Sequence, residues 1–262
     1  MQILDELPIK LDFEGPHNFR ELGGYPTDNG GSVRKGMLFR SDHLGRMTDA
    51  DQILFRELGI RTVIDLRRVE EREEILDRIT DSSVNQIWLP VAAEGADVTT
   101  LRREMEKGTM GPDQARDYLL DANRNFIRVF AGVYRDFMHL LLDEDNYPIV
   151  FHCSAGKDRA GFAAALALLA VGVSMECVMH DYMATNHLTA NYVQGVLDGL
   201  DDIAGLKATP EAIRTLMQVQ PRYIQTAFDT AVTDYGGMDG YIERALEIDI
   251  AKREKLKALL CE

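Results

Sequence analysis

The sequence predicts an α/β fold: a central, mostly parallel sheet flanked by helices, with a helical insert and a helical C-terminal third. Three observations predict it. Short β-rich runs alternate with helical patterns through the first two thirds of the chain, which favours βα units around a parallel sheet. From Tyr147 an apolar strand pattern passes through a short polar loop into a long Ala/Leu helix. After Gly172 the remaining sequence reads as helical, with Ser174 and the Thr209-Pro210-Glu211 step as starts and Gly236-Gly237 as a break.

The expected strands run from Met37 to Arg40, Arg61 to Leu66, Val84 to Leu89 and Ile149 to His152. Between the first two, Thr48 opens a helix with Asp51 three residues on, and Gly59 stops it just before the next strand. That strand carries Asp65 near its C-terminal end, where ligands gather in open α/β sheets. Residues 92–125 form a charged, Met-containing helical stretch broken by Gly108 and by Gly111-Pro112. They read as two short helices inserted between strands, for which a lid and a solvated crossover are equal readings. The apolar run Phe162 to Val173 is too short to span a bilayer and reads as a buried helix. Without repeats or low-complexity tracts, residues 1–262 are expected to form one domain.

The chain has 262 residues, with 43 acidic against 29 basic side chains and a formal charge of -14. Such a balance repels nucleic acid and anionic membranes at long range, because neutralising phosphates requires clustered Lys and Arg. An anionic substrate must then meet a local basic pocket. The opening MQILDELPIKLDFEG intersperses acids among its apolar residues and lacks a signal-peptide pattern. The expected location is cytoplasmic, or secreted without a recognisable signal, with no stable membrane insertion. Three cysteines, Cys153, Cys177 and Cys261, argue against a disulfide framework and leave thiol chemistry open.

The chemistry concentrates in His152-Cys153-Ser154-Ala155-Gly156-Lys157-Asp158-Arg159-Ala160. A loop between a strand and a helix makes an anion site, since successive loop amides, the free N–H groups of the helix start and the helix dipole all favour negative charge at one point. That field favours the thiolate of Cys153, the form that acts as nucleophile. Gly156 supplies the backbone freedom of a tight loop, and Arg159 returns to its mouth with a planar fork of donors. A buried structural thiol would leave the adjoining Gly156, Lys157, Asp158 and Arg159 unexplained.

This loop resembles the HCxxGKDRTG loop of the bacterial tyrosine phosphatases of dual phosphotyrosine and phosphoinositide type. The resemblance extends to Asn18-Phe19-Arg20-Glu21-Leu22-Gly23-Gly24-Tyr25, to Leu38-Phe39-Arg40-Ser41, to Val63-Ile64-Asp65-Leu66-Arg67, to Asp181-Tyr182 with Asn186, and to the stretch from Pro221 to Tyr241. It implies a phosphatase-type fold, no metal and no organic cofactor. It also implies a phosphorylated protein or phosphoinositide as substrate, with a phosphate ion expected in the loop. One position departs: Ala160 stands where the family has Thr or Ser, so the hydroxyl that assists the sulfur is missing.

Phosphoryl transfer needs an in-line nucleophile, a clamp for the equatorial oxygens and an acid for the leaving oxygen. Cys153 and Arg159 take the first two roles. Asp158 is the favoured acid, because it lies beside the clamp and needs no mobile loop; Asp65 is the alternative. His152 is expected to orient the loop, while Ser154, Ala155, Gly156 and Ala160 contribute backbone and Lys157 suits a second phosphate. Arg67 is a candidate for positive charge at the rim, although an Arg pair beside Glu70, Glu71 and Glu73 also reads as a solvated ion-pair face. His180 and His187 lack supporting ligands at metal spacing. Sulfur or arsenate chemistry is disfavoured by the acid beside the clamp. A phosphate-binding module with residual activity is the alternative that Ala160 supports.

Overall fold

β-branched and aromatic residues build the centre of a six-stranded sheet. The computed structural model describes residues 6–91, 110–199 and 209–262. In chain order the strands are β1 (Ile9–Lys10), β2 (Arg20–Glu21), β3 (Leu38–Ser41), β4 (Thr62–Asp65), β5 (Asn85–Trp88) and β6 (Ile149–His152). The sheet order is β1-β2-β3-β6-β4-β5. β3, β6, β4 and β5 run parallel, whereas β1 and β2 add an antiparallel edge. β6 therefore lies between β3 and β4, in a register that sets Ser41 and Asp65 on either side of His152. Three strand ends finish level there, at the carboxyl edge of the sheet.

The period of two along each strand feeds two cores. Leu38, Ile64, Ile149 and Phe151 face the larger cluster, and Phe39, Val63 and Val150 face the smaller one. Both faces are thus covered, as parallel strands require. On the larger side lie α4 (Ala131–Leu140) and α5 (Arg159–Ala170), and Phe137 packs edge-on to Phe151 at 5.0 Å between ring centroids. Nearly every residue of α5 is buried, so the Ala/Leu run is a core helix. Truncating Phe151 to Ala at such a site costs about 3–5 kcal/mol. The smaller side is closed by α1 (Asp49–Glu57), which opens with a reciprocal capping box between Thr48 and Asp51. Asp51 also accepts from the amides of Glu14, at 2.7 Å, and Gly15, at 2.9 Å, and so pins the N-terminal segment across the helix start.

After β4 comes the short α2 (Val69–Glu74), which buries none of its side chains. The rest is helical: α3 (Pro112–Arg128), α6 (Met175–Leu188), α7 (Ala190–Asp198), α8 (Pro210–Met217), α9 (Pro221–Tyr235), α10 (Met238–Arg244) and α11 (Ile250–Leu260). Ser174 and Thr209 cap α6 and α8 through their side chains, and Gly236 ends α9 in a left-handed conformation. Of the expected insertion at 92–125, residues 92–109 lie outside the described residues; 112–125 belong to α3, packed against α8 and α9. Among the described residues no helix is long and apolar enough to cross a membrane.

Candidate active site

The loop from Cys153 to Asp158 joins β6 to α5 on the level edge of the sheet. Gly156 sits there at φ +67°, and a Cβ on it would lie 2.5 Å from the carbonyl of Ser41 and 2.6 Å from the amide of Asp42. No other residue fits. Four consecutive loop carbonyls are drawn away from the centre. That of Ser154 accepts from the amide of His43 at 3.2 Å, and that of Ala155 from Nδ2 of Asn18 at 2.9 Å. Those of Gly156 and Lys157 both accept from Nη2 of Arg40, at 2.6 and 3.2 Å. A trans peptide sets its N–H opposite its C=O, so the amides of Ala155, Gly156, Lys157 and Asp158 turn inward. Among the described residues, none of the amides from Ser154 to Arg159 has a protein acceptor. With the start of α5 they form a concave array of donors suited to an oxyanion.

The scaffold behind this array is ionic. Arg20 donates from Nε to Asp181 at 2.8 Å, and Arg40 donates from Nη1 to the other oxygen at 2.5 Å. All three side chains are buried. Arg20 also holds Asn18 through its carbonyl at 3.1 Å and its side-chain oxygen at 2.5 Å. The amides of His17 and Asn18 donate to Asp42 at 3.1 and 2.9 Å. Residues of β2, β3 and α6 thus hold the loop without entering it.

Cys153 is 2 % exposed at the base of the array. Ala160 is wholly buried in the same apolar cluster, and among the described residues no side chain donates a hydrogen bond to the Cys153 sulfur. Arg159 is braced by Glu71 of α2, donating from Nη1 at 2.6 Å and from Nη2 at 2.8 Å. The Ser154 hydroxyl donates to the same carboxylate at 2.6 Å. Burial alone would raise the proton affinity of Glu71; the paired Arg159 outweighs it and holds the carboxyl far below the usual range. Since Glu71 takes one N–H from each Nη, the guanidinium keeps its Nε edge for an anion. Asp158 lies at the start of α5, with Oδ2 2.9 Å from Nζ of Lys157 and with a buried Oδ1 that has no partner. Burial holds the Tyr118 hydroxyl of α3 above its usual range, with Arg68 and Arg159 acting against that shift and Asp158 and Glu71 adding to it.

Asp65 and Arg67 form a separate cluster on the flank. Arg67 donates to Asp65 from its amide and Nε at 2.9 Å and from Nη2 at 2.9 Å. The same Nη2 lies 2.7 Å from Asp77, whose carboxylate is 3.1 Å from Nε2 of His152. Burial would lower the proton affinity of His152, but Asp77 and Asp65 raise it above the usual value. Nδ1 of the ring lies 3.3 Å from the Cys153 carbonyl, so the histidine ties the loop base to this flank. The ligand atoms of Asp65, Asp77 and His152 lie within 4.8 Å of one another, yet Arg67 already supplies the cation between the two carboxylates. Beside the loop runs a groove of about 380 Å3, lined among others by His43, Arg46, Arg68, Ser154, Ala155 and Tyr192.

The predicted residues Cys153 to Arg159 are therefore contiguous around one concavity, with the His152 ring on the flank and Ala160 in the core behind it. Lys157 is 5 % exposed and turns its ammonium to Asp158 and to the Gln218 carbonyl at 3.3 Å. Arg67 is buried on the flank, where it also lines the groove beside Ser154 and Ala155. Sequence reasoning assigned no role to Glu71, Asp77 or Tyr118. Glu71 reads as part of a solvated acidic run, and only its arrival opposite Arg159 distinguishes it from Glu70.

A profile of the tyrosine phosphatase family matches residues 11–262. A protein of Cupriavidus necator named as a tyrosine-protein phosphatase is 28% identical over 242 residues, covering 92% of this chain and 86% of its own. The triple specificity protein phosphatase PtpB of Mycobacterium tuberculosis is 28% identical over 261 residues, covering 89% of this chain and 93% of its own. A tyrosine-protein phosphatase of Nostoc commune is 25% identical over 227 residues, covering 84% and 73%.

Proposed function

The chain belongs to the tyrosine phosphatase family, and from that premise we propose that this phosphatase hydrolyses its substrate through a cysteinyl-phosphate on Cys153. The observation that carries the reading is the array of inward amides with Cys153 at its base and the braced fork of Arg159 beside it. Positioning and charge stabilisation supply most of the barrier lowering in phosphoryl transfer. The thiolate attacks phosphorus in line with the leaving oxygen, and the S–P bond forms as the P–O bond breaks. Loop amides and the Nε edge of Arg159 hold the three equatorial oxygens. Asp158 delivers the proton to the leaving oxygen; Asp65 is less suited, with both its oxygens engaged by Arg67. Water then attacks the phosphocysteine, giving its proton to the Asp158 carboxylate, and the S–P bond breaks with its electron pair returned to sulfur.

As substrates we propose phosphotyrosine in proteins, phosphoinositides, or both. The likeness to a triple specificity phosphatase supports this breadth, and the groove running from Ser154 past Arg46 offers space beyond a single phosphate. The test compares wild type with Cys153→Ser on para-nitrophenyl phosphate, a phosphotyrosine peptide and a short-chain phosphoinositide. Hydrolysis should vanish in the variant while tungstate still binds, because the amides and Arg159 make the anion site without sulfur. Turnover retained by the serine variant overturns the cysteine mechanism.

A further inference from the structure

Two guanidiniums share one carboxylate directly behind the loop. Arg20 and Arg40 are 0% exposed and Asp181 is 2% exposed, and each arginine bonds a different oxygen of that carboxylate. The group sums to one positive charge. Among the described residues no other carboxylate lies within ion-pair distance of either guanidinium. A buried charge without a counter-charge is strongly disfavoured. The groups facing Arg40 are Asp181, Arg20, the carbonyls of Gly156 and Lys157 and, through space, Tyr25, Tyr182 and Cys153.

The fold makes room for this arrangement. A Cβ at Gly161 would stand 3.0 Å from Nη2 of Arg40 and 2.9 Å from Cδ2 of Tyr182, so the first turn of α5 admits the guanidinium only at a glycine. Burial and the neighbouring Arg20 lower the proton affinity of Arg40, to about 10, while negative charge at Cys153 acts in the opposite sense.

We infer that Arg40 is a positioning residue for phosphoryl transfer: it turns the Gly156 and Lys157 peptides outward, and the anion in the loop, first thiolate and then phosphate, balances the unmatched positive charge it shares with Arg20. The inference rests on the cysteinyl-phosphate reading above and adds a group outside the loop to its electrostatics. Arg40 touches neither sulfur nor substrate. Its effect passes through two peptide groups and through the field of a charge that solvent does not screen.

The test uses Arg40→Lys, which keeps the charge but loses the fork, and Arg40→Met, which loses both. Three readouts are taken: the pH dependence of Cys153 alkylation by iodoacetamide, inhibition by tungstate, and kcat/KM on para-nitrophenyl phosphate. Arg40→Met should raise the midpoint of alkylation by about one pH unit or more. It should also weaken tungstate inhibition and lower kcat/KM about ten- to a hundred-fold. Arg40→Lys should fall between the two on every measure. A purely structural role would lower the melting temperature without moving the alkylation midpoint. An Arg40→Met protein that melts cooperatively and keeps the wild-type midpoint and tungstate affinity overturns the inference. If neither variant folds, arginine-selective 15N labelling of the wild type decides. Tungstate must then move the Arg40 Nε–H resonance while exposed Arg124 stays still, and an unmoved Arg40 signal is the refutation. Failure of the cysteine mechanism shows separately, as a wild-type protein in which Cys153→Ser still turns over.

Discussion

Replacing Glu71 by alanine removes the brace on Arg159. Glu71 also accepts from the Ser154 hydroxyl and from the amide and Nε of Arg68, so the substitution should lower the melting temperature modestly while leaving the fold intact. Two charge-assisted bonds to Arg159, of 2.6 and 2.8 Å, are lost with them. At 18 and 19 % side-chain exposure the pair is mostly shielded from solvent. A hydrogen bond to a charged group contributes about 1.5–3 kcal/mol, and water regained by the guanidinium returns part of it. If about 2 kcal/mol appears as misorientation of the fork in the transition state, kcat/KM falls roughly 30-fold. Glu71→Gln keeps one acceptor and the shape, and should lose only about three- to tenfold. The assay is steady-state hydrolysis of para-nitrophenyl phosphate alongside a circular-dichroism melt. Because Arg159 holds the carboxyl far below its usual range, the brace is fully present above the ordinary value near 4.3 and is lost only as pH falls through the depressed one. Assays from about pH 5 to 8 therefore do not titrate it. An Ala variant with unchanged or higher kcat/KM refutes the reasoning, since it would mean that Glu71 competes with phosphate for the guanidinium.

Three further outcomes are expected. Asp158→Asn should lose most activity toward phosphotyrosine and much less toward para-nitrophenyl phosphate, whose leaving group hardly needs a proton. Asp65→Asn should instead lower the urea midpoint, since it removes the negative charge and one of the two oxygens that buried Arg67 bonds, a loss of about 3 kcal/mol; the reverse ranking makes Asp65 the acid. Ala160→Ser adds one atom at a wholly buried site and restores a hydroxyl near Cys153. It should raise steady turnover and shrink a rapid-mixing burst of phenol, and identical kinetics in the two proteins would show that the sulfur needs no such donor. His152 is held above its ordinary value by Asp77 and Asp65, so its contribution to stability is complete below about pH 6.5 and fades as pH rises through the folded-state value. Asp77→Asn should lower the melting temperature most at pH 6, and a difference that grows toward pH 9 would contradict the pairing.

Local signals made much of this fold legible. The four central strands, the Thr48 cap of α1 and the starts of α6 and α8 all rest on residues within a few positions of one another. β1 and β2, two residues each, carry no local pattern, because they exist only by pairing in series onto β3. The loop could be read for the same reason as the strands: nucleophile, glycine and clamp are sequence neighbours. Its supports could not. Asn18 lies 137 residues from Ala155, Arg40 lies 116 residues from Gly156, and Glu71 lies 88 residues from Arg159. Charged residues such as Glu71 and Arg67 read as surface groups, because burial of a charge depends on a partner that only the folded chain supplies.

Those separations bear on the order in which the protein is made. Ser154 to Lys157 owe their peptide orientation to Asn18, Arg40 and His43, so the loop has the wrong shape until the first strands have closed onto β6. Chain closure over more than a hundred residues is slow beside helix formation. In a refolding experiment the far-ultraviolet signal of α3 to α11 should therefore return well before turnover does. Catalytic competence is in this sense a late reporter of topology: a collapsed species with native helices and an unfinished sheet edge has every residue of the loop and no phosphatase activity.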